Sequence, residues 1–217
     1  MAIALDTVSS RQASDGTGNP LTFSYTCTGS NLILFVGVNA DSNTLTGATY
    51  NGVAMTEVGN VQTPASRWNY LYMLIGPATG AHNVVVSTSG ATTIIGYAIS
   101  YTGAKQSGQP DASSTNTGTA VTTLTTSVTT IEDNCWTVAT SRTGPLGYPC
   151  SGGAGTTMRS NGVNADDIGD SNGALTPPGS KSLIFNPSSA TNIGMVMCSF
   201  APALAVATKN FALLGVG

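Results

Sequence analysis

Charged side chains are scarce in this sequence. Asp, Glu, Lys and Arg make up 8% of its 217 residues, against about 25% in an ordinary soluble domain. Little charge leaves little repulsion between copies, so such a chain either tolerates self-association or uses it. The seven basic residues (Arg11, Arg67, Lys105, Arg142, Arg159, Lys181 and Lys209) stand singly, and the net charge is −3. A phosphate-binding face needs clustered Lys and Arg, so no nucleic-acid partner is expected.

Histidine is scarcer still. His82, in Thr79-Gly-Ala-His82-Asn83, is the only one. Hydrolytic triads need a base held against a nucleophile, usually His, and no G-x-S-x-G elbow accompanies it. His82 therefore reads as a solvated turn residue. The four cysteines, Cys27, Cys135, Cys150 and Cys198, lack C-x-x-C spacing. They are expected to be free and to act as small buried hydrophobes, with Cys150, in a Pro/Gly-rich stretch, the most exposed. The longest apolar runs, such as Leu32 to Val38, are too short to span a bilayer, and no membrane partner is expected. The opening Met1-Ala2-Ile3-Ala4-Leu5-Asp6 lacks the basic segment of a secretory signal. Synthesis in a cytoplasm is the corresponding expectation.

Thr, Ser, Asn and 26 Gly take the place of charge, while 41% of the chain is hydrophobic. Thr favours strands, and Gly, Asn and Ser favour turns. Leu21-Thr-Phe23-Ser-Tyr25-Thr-Cys27 alternates apolar and polar residues, the period of a half-buried strand. Asn31 to Val38 is nearly all apolar, which suits a strand covered on both faces. Asn51-Gly52 lies between two strand-like runs and predicts a type I′ hairpin, whose turn needs positive φ at both central residues. Further strands read at Arg67 to Ile75, Asn83 to Thr88, Thr92 to Tyr101, Ala120 to Val128, Asn134 to Thr140, Ser182 to Phe185 and Thr191 to Phe200. Gln106 to Gly118 and Ser141 to Gly179 read as loops, the second with short strands at 156–159 and 163–168. No segment carries a sustained period of 3.6. The pattern predicts an all-β, antiparallel β-sandwich or closed barrel, with 1–202 as a single sandwich domain and 203–217 as an apolar tail. Tyr50-Asn51-Gly52 and Tyr101-Thr102-Gly103 echo each other, which reads as shared turn chemistry or as a trace of paired halves.

The tail, with Phe211, Leu213 and Leu214, is costly to leave in water at about 25 cal/mol per Å². It either closes its own domain as an edge strand or docks on a neighbour, and these three residues are the candidate interface. Trp68, Tyr70 and Tyr72 share one strand face by alternation; the stripe reads as core, or as a platform for a sugar or partner. Asp166, Asp167 and Asp170 form the only local acidic cluster. In a loop they could hold Ca²⁺, although the spacing departs from the EF-hand pattern, and a solvated strand end is the simpler reading. No phosphate-binding glycine loop or Cys/His metal spacing is present. The expectation is a protein that is not an enzyme and needs no cofactor.

Thr26-Cys-Thr-Gly-Ser-Asn-Leu-Ile-Leu-Phe-Val-Gly-Val38, Ala48-Thr-Tyr-Asn-Gly-Val-Ala-Met-Thr56 and Gly80-Ala-His-Asn-Val-Val-Val86 resemble a family of phage-encoded and prophage-like proteins. Members of that family placed in particles resemble jelly-roll virion components. The likeness covers much of the first half and, more loosely, the strands after Thr119. It implies a capsid decoration or accessory virion role, self-association, contact with a major capsid or other virion protein, and a place in the virion. It transfers no catalytic residue. The rival expectation is a glycan- or receptor-binding sandwich using Trp68, Tyr70, Tyr72 or the 143–180 stretch.

Overall fold

The computed structural model describes residues 1–14, 16–17, 20–144, 147–160 and 166–204. The candidate residues Phe211, Leu213 and Leu214 lie outside the described residues. The first half carries β1 (Ala4–Val8), β2 (Gln12–Ala13), β3 (Leu21–Cys27), β4 (Ile33–Ala40), β5 (Leu45–Tyr50), β6 (Val53–Ala54), β7 (Thr56–Gln62), β8 (Trp68–Ile75), β9 (Gly80–Thr88) and β10 (Ile94–Thr102). The second carries β11 (Ala112–Val121), β12 (Leu124–Thr130), β13 (Trp136–Thr143), β14 (Cys150–Gly152), β15 (Thr157–Met158), β16 (Asp166–Asp170), β17 (Gly179–Pro187) and β18 (Thr191–Phe200). All ladders are antiparallel, as the sequence predicts.

The two halves repeat one topology. The first builds an inner sheet β1-β10-β4-β8-β7, with β2 beside β10, and an outer sheet β3-β9-β5-β6. The second builds β11-β18-β13-β16-β15 and β12-β17-β14. Apart from β2 and β6, which have no counterpart, each order becomes the other when β1, β3, β4, β5, β7, β8, β9 and β10 are replaced by β11, β12, β13, β14, β15, β16, β17 and β18. Most successive strands cross between the two sheets of their half, the wrapped order of a jelly roll. Registers match as well. Leu21 faces Val86 and Cys27 faces Gly80, while Leu124 faces Phe185 and Thr130 faces Gly179.

The described residues up to 202 pack as two sandwiches joined through their inner sheets. The layers run outer, inner, inner, outer. Phe23, Leu34, Val36, Tyr70 and Val84 fill the first sandwich. Leu124, Leu183, Phe185, Met195 and Met197 fill the second. Between the inner sheets lies a third core, with Phe35, Leu71 and Tyr101 meeting Trp136, Ile168 and Phe200. This seam explains why every residue of β4 and β13 is buried: each inner strand is covered by its own outer sheet on one face and by the opposite half on the other. At Gly37 the approach leaves no room for a side chain, because a Cβ there would lie 2.7 Å from Thr140 Oγ1.

A carboxylate clasp recurs at equivalent places. Asp6 Oδ2 accepts from the Thr28 backbone N–H (2.9 Å) and from Ser100 Oγ (2.7 Å). Asp111 Oδ2 accepts from the Ile131 backbone N–H (2.9 Å) and from Ser199 Oγ (3.2 Å). Each clasp ties the start of its half to the residue just beyond β3 or β12 and to β10 or β18.

The stretches read as loops differ from expectation. Much of Gln106 to Gly118 is β11, the edge strand paired along β18. Ser141 to Gly179 holds β14 besides β15 and β16, which fall on the two short strands expected there, but β16 is wholly buried in the seam rather than part of a loop.

Candidate interaction site

The acidic cluster is no solvated strand end. Asp166, Asp167 and Asp170 are fully buried in β16. Alternation on a sheet sends Asp166 and Asp170 to the seam face and Asp167 to the other. Asp166 pairs with Arg142, buried on the neighbouring strand, and with Arg11 at 3.5 Å. Asp170 takes Arg159 Nε at 2.8 Å and the Tyr101 hydroxyl of the opposite half at 2.7 Å. Asp167 accepts the Cys150 backbone N–H at 2.9 Å. Burial pushes the Asp166 carboxyl up, against the pull of Arg142 and Arg11. Cations already neutralise the two carboxylates on the seam, where a calcium ion would need six to eight oxygens to itself. Their task is to join the halves. Asn69 Nδ2 adds bonds to Thr140 O (2.9 Å) and Gly194 O (3.3 Å) across the same seam, and Asn39 Nδ2 one to Ser141 O (3.2 Å).

The aromatic stripe is core. Tyr70 and Tyr72 are buried between the sheets of the first sandwich, and Trp68 is half-buried beside them. The rings stack in series, Trp68 on Tyr70 at 6.1 Å and Tyr70 on Tyr72 at 6.2 Å. They offer no open platform for a sugar. Burial raises the Tyr70 phenol to about 12, with Glu57 adding to the rise. His82 sits inside β9 rather than in a turn, edge-on to Tyr50 at 5.6 Å, with Nε2 3.1 Å from Thr79 O. All four cysteines are free; Cys27, Cys135 and Cys198 are buried and Cys150 is half-buried. Burial pushes their thiols up, which disfavours the reactive thiolate.

What the fold does leave open is a groove of about 730 Å³ at one end of the seam. Ile3 and Trp136 line its buried part, with Trp136 edge-on to Tyr101 at 5.6 Å. Ile131, Pro178, Pro202 and Leu204 form the apolar walls, and Glu132 and Asp133 stand on the turn between β12 and β13. Among the described residues five large apolar side chains are well exposed, and three of them, Met1, Ile131 (71%) and Leu204 (80%), lie here.

The groove is built by strand ends tied together. Ala203 N–H donates to Gly103 O (2.8 Å), Pro202 bridges to Ala104, and the Met1 ammonium donates to Ala203 O (2.6 Å). Gly103 has φ +72°, and a Cβ on it would stand 2.0 Å from Ala2 O, so only glycine lets the first strand lie this close. Sequence reasoning missed Met1, Ile131, Trp136 and Leu204. One signal was present: Ile131 is an apolar residue set directly between a completed strand and the acidic turn Glu132-Asp133-Asn134. No protein-family model and no curated protein matches the chain.

Proposed function

We propose that the chain is a non-enzymatic structural protein of a phage particle, decorating or stabilising the capsid and associating with copies of itself. The observation that carries this reading is the concentration of exposed apolar side chains in one groove, at the end of the seam where the apolar 205–217 segment begins. Monomeric proteins rarely gather such side chains unless they dock there. The reading also draws support from the buried chemistry. The three clustered aspartates and the thiols are committed to packing, pairing and the seam, while the outer sheets turn Thr22, Ser24, Thr26, Thr125, Ser127 and Thr129 outward without charge. Such faces let copies crowd on a lattice with little repulsion.

The test is to purify particles by density gradient from a culture producing the chain and to measure its copy number in them. Stoichiometric, salt-resistant association with a capsid protein is expected; absence from the particle fraction would refute the reading. A glycan would need another address than the buried aromatic stripe. The shallow polar hollow of Thr49, Asn51, His82 and Asn83 is the place to examine if particles lack the chain.

A further inference from the structure

We propose that the groove receives residues 211–214 of a second copy of this chain, in a head-to-tail contact. The proposal rests on the assembly reading above and names its partner. Three observations support it. The groove is apolar and within the size range that buries several side chains, and Phe211-Ala212-Leu213-Leu214 is the densest apolar run beyond Leu204. Charge is compatible: Lys209 is the only charged residue from 205 to 217, and of the groove's two carboxylates Glu132 is held by Lys105, while Asp133 accepts from the Thr176 hydroxyl and has no ion pair among the described residues.

Chain geometry favours a neighbour over the groove's own copy. The backbone is clamped through Ala203 at the groove wall, so a return would need reversal within 205–210. That stretch, Ala205-Val206-Ala207-Thr208-Lys209-Asn210, holds no Gly or Pro and has two β-branched residues. Six residues reach at most about 20 Å, enough for 211–214 to meet a second copy. A head-to-tail contact of this kind closes into a ring, or runs on as a filament, according to the rotation between copies.

Complementary variants test it. One is Ile131→Lys, which places a charge in the groove at an exposed position. The other keeps the groove and replaces Phe211, Leu213 and Leu214 with Ser. Native mass spectrometry of the unmodified chain should give a multiple of 21.8 kDa. Each variant alone should fall to monomer with its far-UV circular dichroism unchanged, and mixing the two should restore a one-to-one pair, because one retains the groove and the other the segment. Three results would overturn the proposal: a mixture that stays monomeric; variants that both remain oligomeric, which would move the contact to another surface while sparing the assembly reading; or an unmodified chain that is monomeric and loses thermal stability on the Ser replacements, which would seat the segment on its own copy. Failure of the assembly reading would show separately, as absence from particles.

Discussion

Phe200→Ala tests whether the seam makes the two sandwiches one cooperative body. Phe200 is fully buried between the inner sheets, 5.2 Å from the Phe35 ring and 4.9 Å from the Tyr101 ring, both of the opposite half. Truncating a buried Phe costs about 3–5 kcal/mol. Two lost ring contacts, each worth about 0.5–1.5 kcal/mol beyond area, place this site in the upper part of that range. Against a total stability of about 5–15 kcal/mol the loss is large. With a guanidinium slope of about 4 kcal/mol per M it lowers the unfolding midpoint by about 1 M. The chain supplies its own reporters, since Trp68 belongs to the first sandwich and Trp136 to the second half's side of the seam. Fluorescence-monitored denaturation in Trp136→Phe and Trp68→Phe backgrounds reads them separately. A shared core predicts that Phe200→Ala moves both midpoints together. If the Trp68 transition stays fixed while that of Trp136 falls, the halves unfold independently and the seam is only a contact between domains.

Three further outcomes follow from the same structure. Asp6→Ala and Asp111→Ala each remove a carboxylate that accepts from a backbone N–H and a serine hydroxyl; each should cost about 1.5–3 kcal/mol, and a silent substitution at either site, read by denaturant unfolding, would break the claimed equivalence of the halves. Arg142→Met alone, leaving Asp166 with only Arg11 at 3.5 Å, should cost about 3–5 kcal/mol. Adding Asp166→Leu should recover most of that loss, and a double variant no better than the single would refute the pairing. Burial raises the phenols of Tyr25, Tyr50, Tyr70, Tyr72, Tyr97 and Tyr101, that of Tyr70 to about 12. Because the unfolded chain then releases these protons first, the stability they contribute is complete below about pH 10 and declines as pH rises further. Phenolate absorbance should rise together with loss of the strand circular dichroism signal; tyrosines that titrate near their ordinary value in a still-folded chain would contradict the burial.

Much of the architecture was legible because each half-buried strand carries its own period. Leu21 to Cys27 reads apolar at alternate positions and is buried at those positions. The Asn51-Gly52 turn has φ of 50° and 75°, as a type I′ hairpin demands. The failures share a cause, which is burial supplied from far along the chain. Strand β11 reads as loop because Ala112 to Val121 is mostly Ser, Thr and Asn, yet its ladder to β18 needs only backbone groups. Strand β16 reads as a wet acidic segment because nothing local shows that Arg142 and Arg11 meet Asp166. The groove was invisible for a similar reason, since it joins residues near 3, 131, 178 and 203. The candidate segment 211–214 came from sequence, and its proposed seat only from the fold.

The duplication was hidden by a misleading echo. Tyr50-x-Gly and Tyr101-x-Gly are not equivalent positions: Tyr101 faces Ile33 across its ladder, and its counterpart is Phe200, which faces Trp136. The true repeat is quieter. Leu21-Thr-x-Ser-x-Thr in β3 recurs as Leu124-Thr-x-Ser-x-Thr in β12, with the same alternation of buried and exposed residues. Thr92, Ile94 and Ser100 recur as Thr191, Ile193 and Ser199. What survives in both copies is what the outer sheet and the carboxylate clasp require. The seam faces have diverged instead. By register, Asn39 and Asn69 of the first half correspond to Arg142 and Asp166 of the second. The asparagine face bonds backbone carbonyls of the opposite sheet, whereas Arg142 and Asp166 pair within their own sheet and reach Asp41 and Arg11 of the first half. A second-half face set against another second-half face would lack Asp41 and Arg11, leaving buried charge short of partners at a cost of several kcal/mol. The divergence therefore specifies that each half packs against the other kind and not against itself. The seam is thus built for contact between unlike halves.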